Sequence, residues 1–188
     1  MNNKKDVLRL VLFFALGAAA CLLSYLIGSF MTSSVKMTQR EAVILLTPIC
    51  EEVLKAVPIF FFALVFKPKR ASLFMSALAV GFGFAALNAV IYVLKNSADD
   101  LFLLTFKVIT AITLHVVCAV ILGYGLSGQK LIMLPGSLGL LCAATAFHSM
   151  YNLFVLASGG IWQIMGYILP MVVAAVLTFF EIGYSGAK

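Results

Sequence analysis

Six long apolar runs, parted only by short polar turns, commit this chain to folding inside a membrane. They cover roughly residues 8–31, 41–66, 71–94, 101–126, 131–157 and 161–183, with TSSVKMTQR, KPKR, KNSADD, SGQK and SGG between them. Each reaches the ~20 residues that carry a helix across a hydrocarbon core of about 30 Å. A helix also satisfies its own backbone polar groups where lipid cannot. Charged residues make up 11% of the chain, against about 25% in a soluble domain, and mean hydropathy is +1.12. The expected fold is all-α, a polytopic transmembrane bundle of six spans. Residues 1–188 then form a single integral membrane domain, with no room for a separate soluble one.

The net charge of +6 resides mainly in the loops. Lys4, Lys5 and Arg9 precede the first span, and Lys67, Lys69 and Arg70 form the turn after the second. Under the positive-inside rule both clusters are cytoplasmic, which predicts an N-in, C-in chain with Lys130 and Lys188 inside and Asp99 and Asp100 outside. Nothing basic recurs along one polar helix face, so nucleic acid is excluded as a partner and the lipid bilayer is the expected surroundings. Cys21, Cys50, Cys118 and Cys142 all fall inside apolar runs, without a CxxC or paired loop framework, which excludes a disulfide scaffold. The first run is about twice a signal-peptide core and is read as a retained helix. A compact chain without targeting extensions fits a prokaryotic plasma membrane.

Against that background the second run, EAVILLTPICEEVLKAVPIFFFALVF (41–66), is anomalous. Its centre holds Glu51, Glu52 and Lys55, and a charge at the bilayer centre costs roughly 2.5–3.5 kcal/mol on insertion scales. Such groups face a bundle interior or a wet cavity, which makes them a functional site by default. At a 1.5 Å rise per residue, Glu51 lies roughly 15 Å below the outer end of its span, His115 roughly 21 Å and His148 roughly 13 Å. Three helices thus bring central ionisable groups to similar depth, including both histidines of the chain.

Within helices, Glu51 and Lys55 are i,i+4, so Lys55 is placed to neutralise the acidic pair. His148 and Asn152 share a face in the same way, and Asn88 adds a deep amide to the third span, with Tyr92 a turn further on. Adjacent carboxylates in a low dielectric titrate as a unit, and one of them can serve as a general base on water. Imidazole and amide groups opposite could hold a metal or donate to a tetrahedral oxyanion. Pro48 and Pro58 bracket the glutamates, and each frees backbone groups that neighbours or water must satisfy, which predicts a bent second helix.

EEVLK (51–55), GFGFAALNAVIY (81–92), LHVVCAVILGYG (114–125) and FHSMYNLF (147–154) occur in the order seen in the PrsW family of intramembrane proteases. The resemblance spans about 40–157 and extends to type II CAAX prenyl endopeptidases and bacteriocin-processing membrane enzymes. It implies peptide-bond hydrolysis in or beside the membrane segment of a substrate. Glu51 is then the general base, with Glu52 assisting or orienting it and Lys55 holding the carboxylates. His115 and His148 ligate a metal or stabilise the oxyanion, Asn152 supports that oxyanion, and Asn88 is a supporting group. His115, His148 and Glu51 match a catalytic Zn²⁺ set with one open position, and a metal-free glutamate mechanism is the alternative. Family members also suggest single-pass membrane proteins, such as anti-sigma factors, as substrates.

The chain departs from the family where Leu87 precedes Asn88, since a glutamate is frequent there. A missing acid removes a possible ligand or support for the base, and leans towards the metal-free version. Two other readings stand beside the protease. One is a non-catalytic scaffold, because the superfamily also resembles the scaffold subunit of gamma-secretase and fold does not guarantee cleavage. The other is a proton-coupled transporter, with Glu, Lys and His as a relay; the inverted repeat usual in transporters is not evident.

Overall fold

A computed structural model describes residues 3–96, 101–127, 134–157 and 159–186. In chain order it holds α1 (Asn3–Ser34), a short α2 (Gln39–Glu41), a π-helical segment (Ala42–Leu46), α3 (Thr47–Phe61), a second π-helical segment (Phe62–Phe66), α4 (Arg70–Lys95), α5 (Leu101–Ser127), α6 (Leu134–Val155) and α7 (Ile161–Gly186). Among the described residues there is no strand. Five helices among the described residues are long and apolar enough to cross a membrane: Lys4–Ser34, Arg70–Lys95, Leu101–Gly123, Leu138–Val155 and Ile161–Phe179. This is a multi-pass membrane protein.

The expected second span is not among those five. Its helix is divided by the two π segments, and its middle carries three charges. It nevertheless packs against α1, α4, α5 and α6. It starts after the turn that follows Ser34 and ends where Phe62 packs edge-on against Phe13 of α1, ring centroids 5.0 Å apart. Asp99, Asp100, Lys130 and Lys188, on which part of the expected orientation rests, lie outside the described residues.

Proline explains the first π segment. Thr38 opens the stretch with a capping box, its hydroxyl accepting from the Glu41 N–H while the Glu41 carboxylate accepts from the Thr38 N–H. The Thr47 N–H then reaches back five residues to the Ala42 carbonyl. The next backbone nitrogen belongs to Pro48 and has no proton to donate. The Val43 carbonyl is thereby stranded, and the Asn152 side chain of α6 takes it with an N–H···O bond of 2.9 Å. A π insertion of this kind is characteristic of functional sites.

Glycine sets the helix contacts. A Cβ on Gly83 would run into the backbone of Phe14, and one on Gly17 into the backbone of Val80 and Phe84, so α1 and α4 touch nearly backbone to backbone. Gly81 makes a looser approach to Val116 and Ala119 of α5. Gly83→Val should therefore force α1 off α4, with a loss of about 1–3 kcal/mol or more. The expected result is a lower melting temperature and poorer yield in detergent. Gly139→Val, where a Cβ meets nothing within 4 Å, should behave as wild type. Equal behaviour of the two variants would mean that the α1–α4 contact is not a close one.

Candidate active site in the bundle interior

α3, α4, α5 and α6 each deliver polar side chains to one point in the interior. Glu52 and Lys55 are completely buried, and His115 and His148 are 3% exposed. Glu51 is less enclosed than Glu52, with 12% of its side chain accessible. The groups that the sequence places at similar depth do meet: Glu51 Oε2 lies 3.8 Å from His115 Nδ1 and 3.8 Å from His148 Nε2. The imidazole rings stand edge to face, centroids 5.2 Å apart.

Lys55 pairs differently from expectation. Its ammonium donates to Glu52 Oε1 at 2.7 Å, an i,i+3 bridge, rather than to Glu51 one full turn back. Side chains on a helix lean towards its N-terminus, so Lys55 can reach either acid. Glu52 points into the protein, where a carboxylate without a cation would be strongly destabilising. Lys55 also lies 3.4 Å from His115 Nδ1 and 4.7 Å above the Phe84 ring.

The same Glu52 oxygen accepts from His148 Nδ1 at 2.7 Å. That bond puts the proton on Nδ1 and leaves the Nε2 lone pair facing Glu51, the arrangement by which a carboxylate orients a metal-ligating histidine. His115 is held on its far side by Asn88, with 2.9 Å between the amide nitrogen and Nε2. Turning that amide by half a rotation presents its oxygen to an Nε2–H and leaves the Nδ1 lone pair between Glu51 and the Lys55 ammonium.

The donor set fits a divalent ion. Glu51 Oε2 is buried without a hydrogen-bond partner, a state that calls for an ion or water. The ligand atoms of Glu51, His115 and His148 lie within 4.8 Å of one another. Ligands around a tetrahedral ion bound at about 2.0–2.1 Å sit roughly 3.4 Å apart, so the two 3.8 Å gaps need only tighten slightly. A second grouping, Glu52, Cys118 and His148, is equally compact, but Glu52 is committed to Lys55 and the Cys118 thiol points at the Ala144 carbonyl, 3.6 Å away. The first set is the better metal site.

The remaining predicted residues fall at the margin. Asn152 lines the same cavity as Glu51, while its amide nitrogen holds Val43. Leu87 packs with Leu54 and Ile91 against Ala20, Cys21 and Phe84, so an acid there would sit at the α1 contact. Two residues escaped the sequence reading. Phe84, with its ring 4.8 Å from that of His115, is one turn before Asn88 and shares its face. Thr47 lines the cavities on both sides of Glu51. Phe84 was legible from its i,i+4 spacing to Asn88; Thr47 carried no signal beyond its nearness to Pro48.

Two cavities converge on this cluster. One, of about 290 Å³, lies between α3, α5 and α6 and reaches Tyr92 and Tyr151. The other, of about 580 Å³, lies between α1, α4 and the Gln39–Glu51 side of the second helix. Glu51, Asn88, Val43 and Thr47 border both.

A family model described as PrsW family intramembrane metalloprotease matches residues 6–179. No curated protein and no solved structure matches the chain.

Proposed function

The chain belongs to the PrsW family of intramembrane metalloproteases, and we propose that it hydrolyses a peptide bond in or beside the membrane segment of another membrane protein. The observation that carries the reading is the unpartnered, buried Glu51 oxygen facing two imidazole nitrogens at the meeting of two cavities. Glu51, His115 and His148 would hold the metal, with zinc best suited to two nitrogens and one oxygen. The ion would supply Lewis-acid polarisation of the scissile carbonyl and lower the pKa of water.

The chain's own groups do the rest. Glu51 takes a proton from the attacking water through its second oxygen and returns it to the leaving amine. Glu52 fixes the tautomer and orientation of His148, Asn88 does so for His115, and Lys55 balances the Glu52 charge. Asn152 holds the Val43 segment in place, and its second amide hydrogen is available to the developing oxyanion. Six crossings with both termini inside would account for the second helix running back beside α1. A prokaryotic plasma membrane, and single-pass substrates of the anti-sigma-factor kind, complete the proposal.

The test is N-terminal peptide profiling of membranes from cells with and without the chain. New termini within or beside membrane segments should depend on the chain, vanish under a membrane-permeant zinc chelator and return when metal is restored. Termini that persist unchanged under chelation would sink the metal-dependent mechanism. A complete absence of chain-dependent termini would favour a scaffold.

A further inference from the structure

α1 and α4 run side by side in the same direction, yet their contact changes abruptly along its length. At Gly17 the helices are backbone to backbone, and at Gly28 a Cβ would meet nothing within 4 Å. Those glycines are eleven residues, roughly 16 Å, apart on one helix. Between them lies a cavity lined on α1 by Cys21, Ser24 and Gly28 and on α4 by Asn88, Ile91 and Lys95. It is the larger cavity, of about 580 Å³, within the range of about 300–1,000 Å³ usual for ligand sites. It descends from the Ser33 and Lys95 end of the bundle to Glu51.

Its lining is unusual for lipid depth. Ser24, Ser29, Thr32 and Ser33 of α1 contribute hydroxyls. Three of them have spent their protons on their own helix: Ser24 on the Cys21 carbonyl, Thr32 on Gly28 and Ser33 on Phe30. What they offer the groove is therefore lone pairs, acceptors for N–H groups. Gln39 and Lys95 near the mouth, and Asn88 at the base, supply donors. An acyl chain offers nothing to the remaining lone pairs and donors. A peptide unwound from its helix needs both kinds, because each unsatisfied backbone group in lipid costs several kcal/mol.

We infer that the groove between α1 and α4 receives an unwound polypeptide segment of the substrate, running from the Ser34 end of the bundle down to Glu51. This rests on the proteolytic reading above. The segment lies extended, its N–H groups on the α1 hydroxyls, and Val43 and Thr47 guide it to the carboxylate. Gly28 keeps the channel open, so the identity of that residue governs whether substrate enters.

The experiment fills the groove at a point where the protein itself is not disturbed. Membranes carrying wild type, Gly28→Trp or Gly139→Trp are compared by N-terminal profiling, at equal abundance and with melting temperatures measured in detergent. The chain-dependent termini should fall at least tenfold with Gly28→Trp alone, all three proteins melting alike. Wild-type termini from Gly28→Trp would overturn the inference and leave the groove to lipid or water. Loss with Gly139→Trp would overturn it too, by showing that occupancy of the groove is not what matters. If wild type itself generates no chain-dependent termini, the proteolytic reading fails and this inference falls with it.

Discussion

Glu51→Gln should reduce chain-dependent cleavage by on the order of 10²–10⁴-fold, the usual share of a positioned general base, while leaving the protein folded. The two halves of that expectation come from different observations. Loss of activity follows because an amide cannot take a proton from water and ligates a metal poorly. Retention of fold follows because Glu51 Oε2 has no hydrogen-bond partner to forfeit, and because Lys55 belongs to Glu52. Quantified termini and a melting curve on the same preparations check both. Wild-type cleavage by a folded Glu51→Gln protein would remove Glu51 from the chemistry. A protein that fails to fold would instead make the carboxylate a structural group, contrary to its orphaned oxygen.

Much of this site was legible in the sequence because a membrane makes ionisable residues conspicuous. Glu51, His115 and His148 could be brought together by depth alone, since helices crossing one slab share one coordinate. Rotation about each helix axis is not fixed by depth. For that reason the division of labour between Glu51 and Glu52 was not legible: neighbours in sequence point about 100° apart, and only packing decides which one meets the lysine. The same limit hid Leu87, which the family resemblance put at the site as a replaced glutamate and whose side chain packs at the α1 contact. Pro48 announced a stranded carbonyl, but not that Asn152, a hundred residues on, would satisfy it. The α1–α4 groove was also invisible. Nothing in the sequence separates Gly17 from Gly28, and only the tertiary structure shows one crushed against backbone and the other facing open space.

The buried pair of Glu52 and Lys55 should give the largest stability effect in the chain. Both groups are wholly inaccessible, 2.7 Å apart. Removing one charge from such a pair destabilises by about 3–5 kcal/mol, because the other is left buried alone. Lys55→Met leaves the Glu52 carboxylate with His148 but without its cation, and Glu52→Gln leaves an ammonium over the Phe84 ring. Each should lower the melting temperature by roughly 6–20 °C, taking about 2–4 °C per kcal/mol for a chain of this size. The double variant Glu52→Gln/Lys55→Met removes both charges and keeps an oxygen for the His148 Nδ1–H. It should recover most of the lost stability, so the two single losses are strongly non-additive. Metal affinity should not recover in step. A neutral amide holds the imidazole less firmly than a carboxylate, and loss of such an orienting partner typically costs 10–100-fold in metal affinity or activity. A double variant as unstable as the sum of the singles would show that the pair is not coupled. One with wild-type metal affinity would show that Glu52 balances charge without positioning His148.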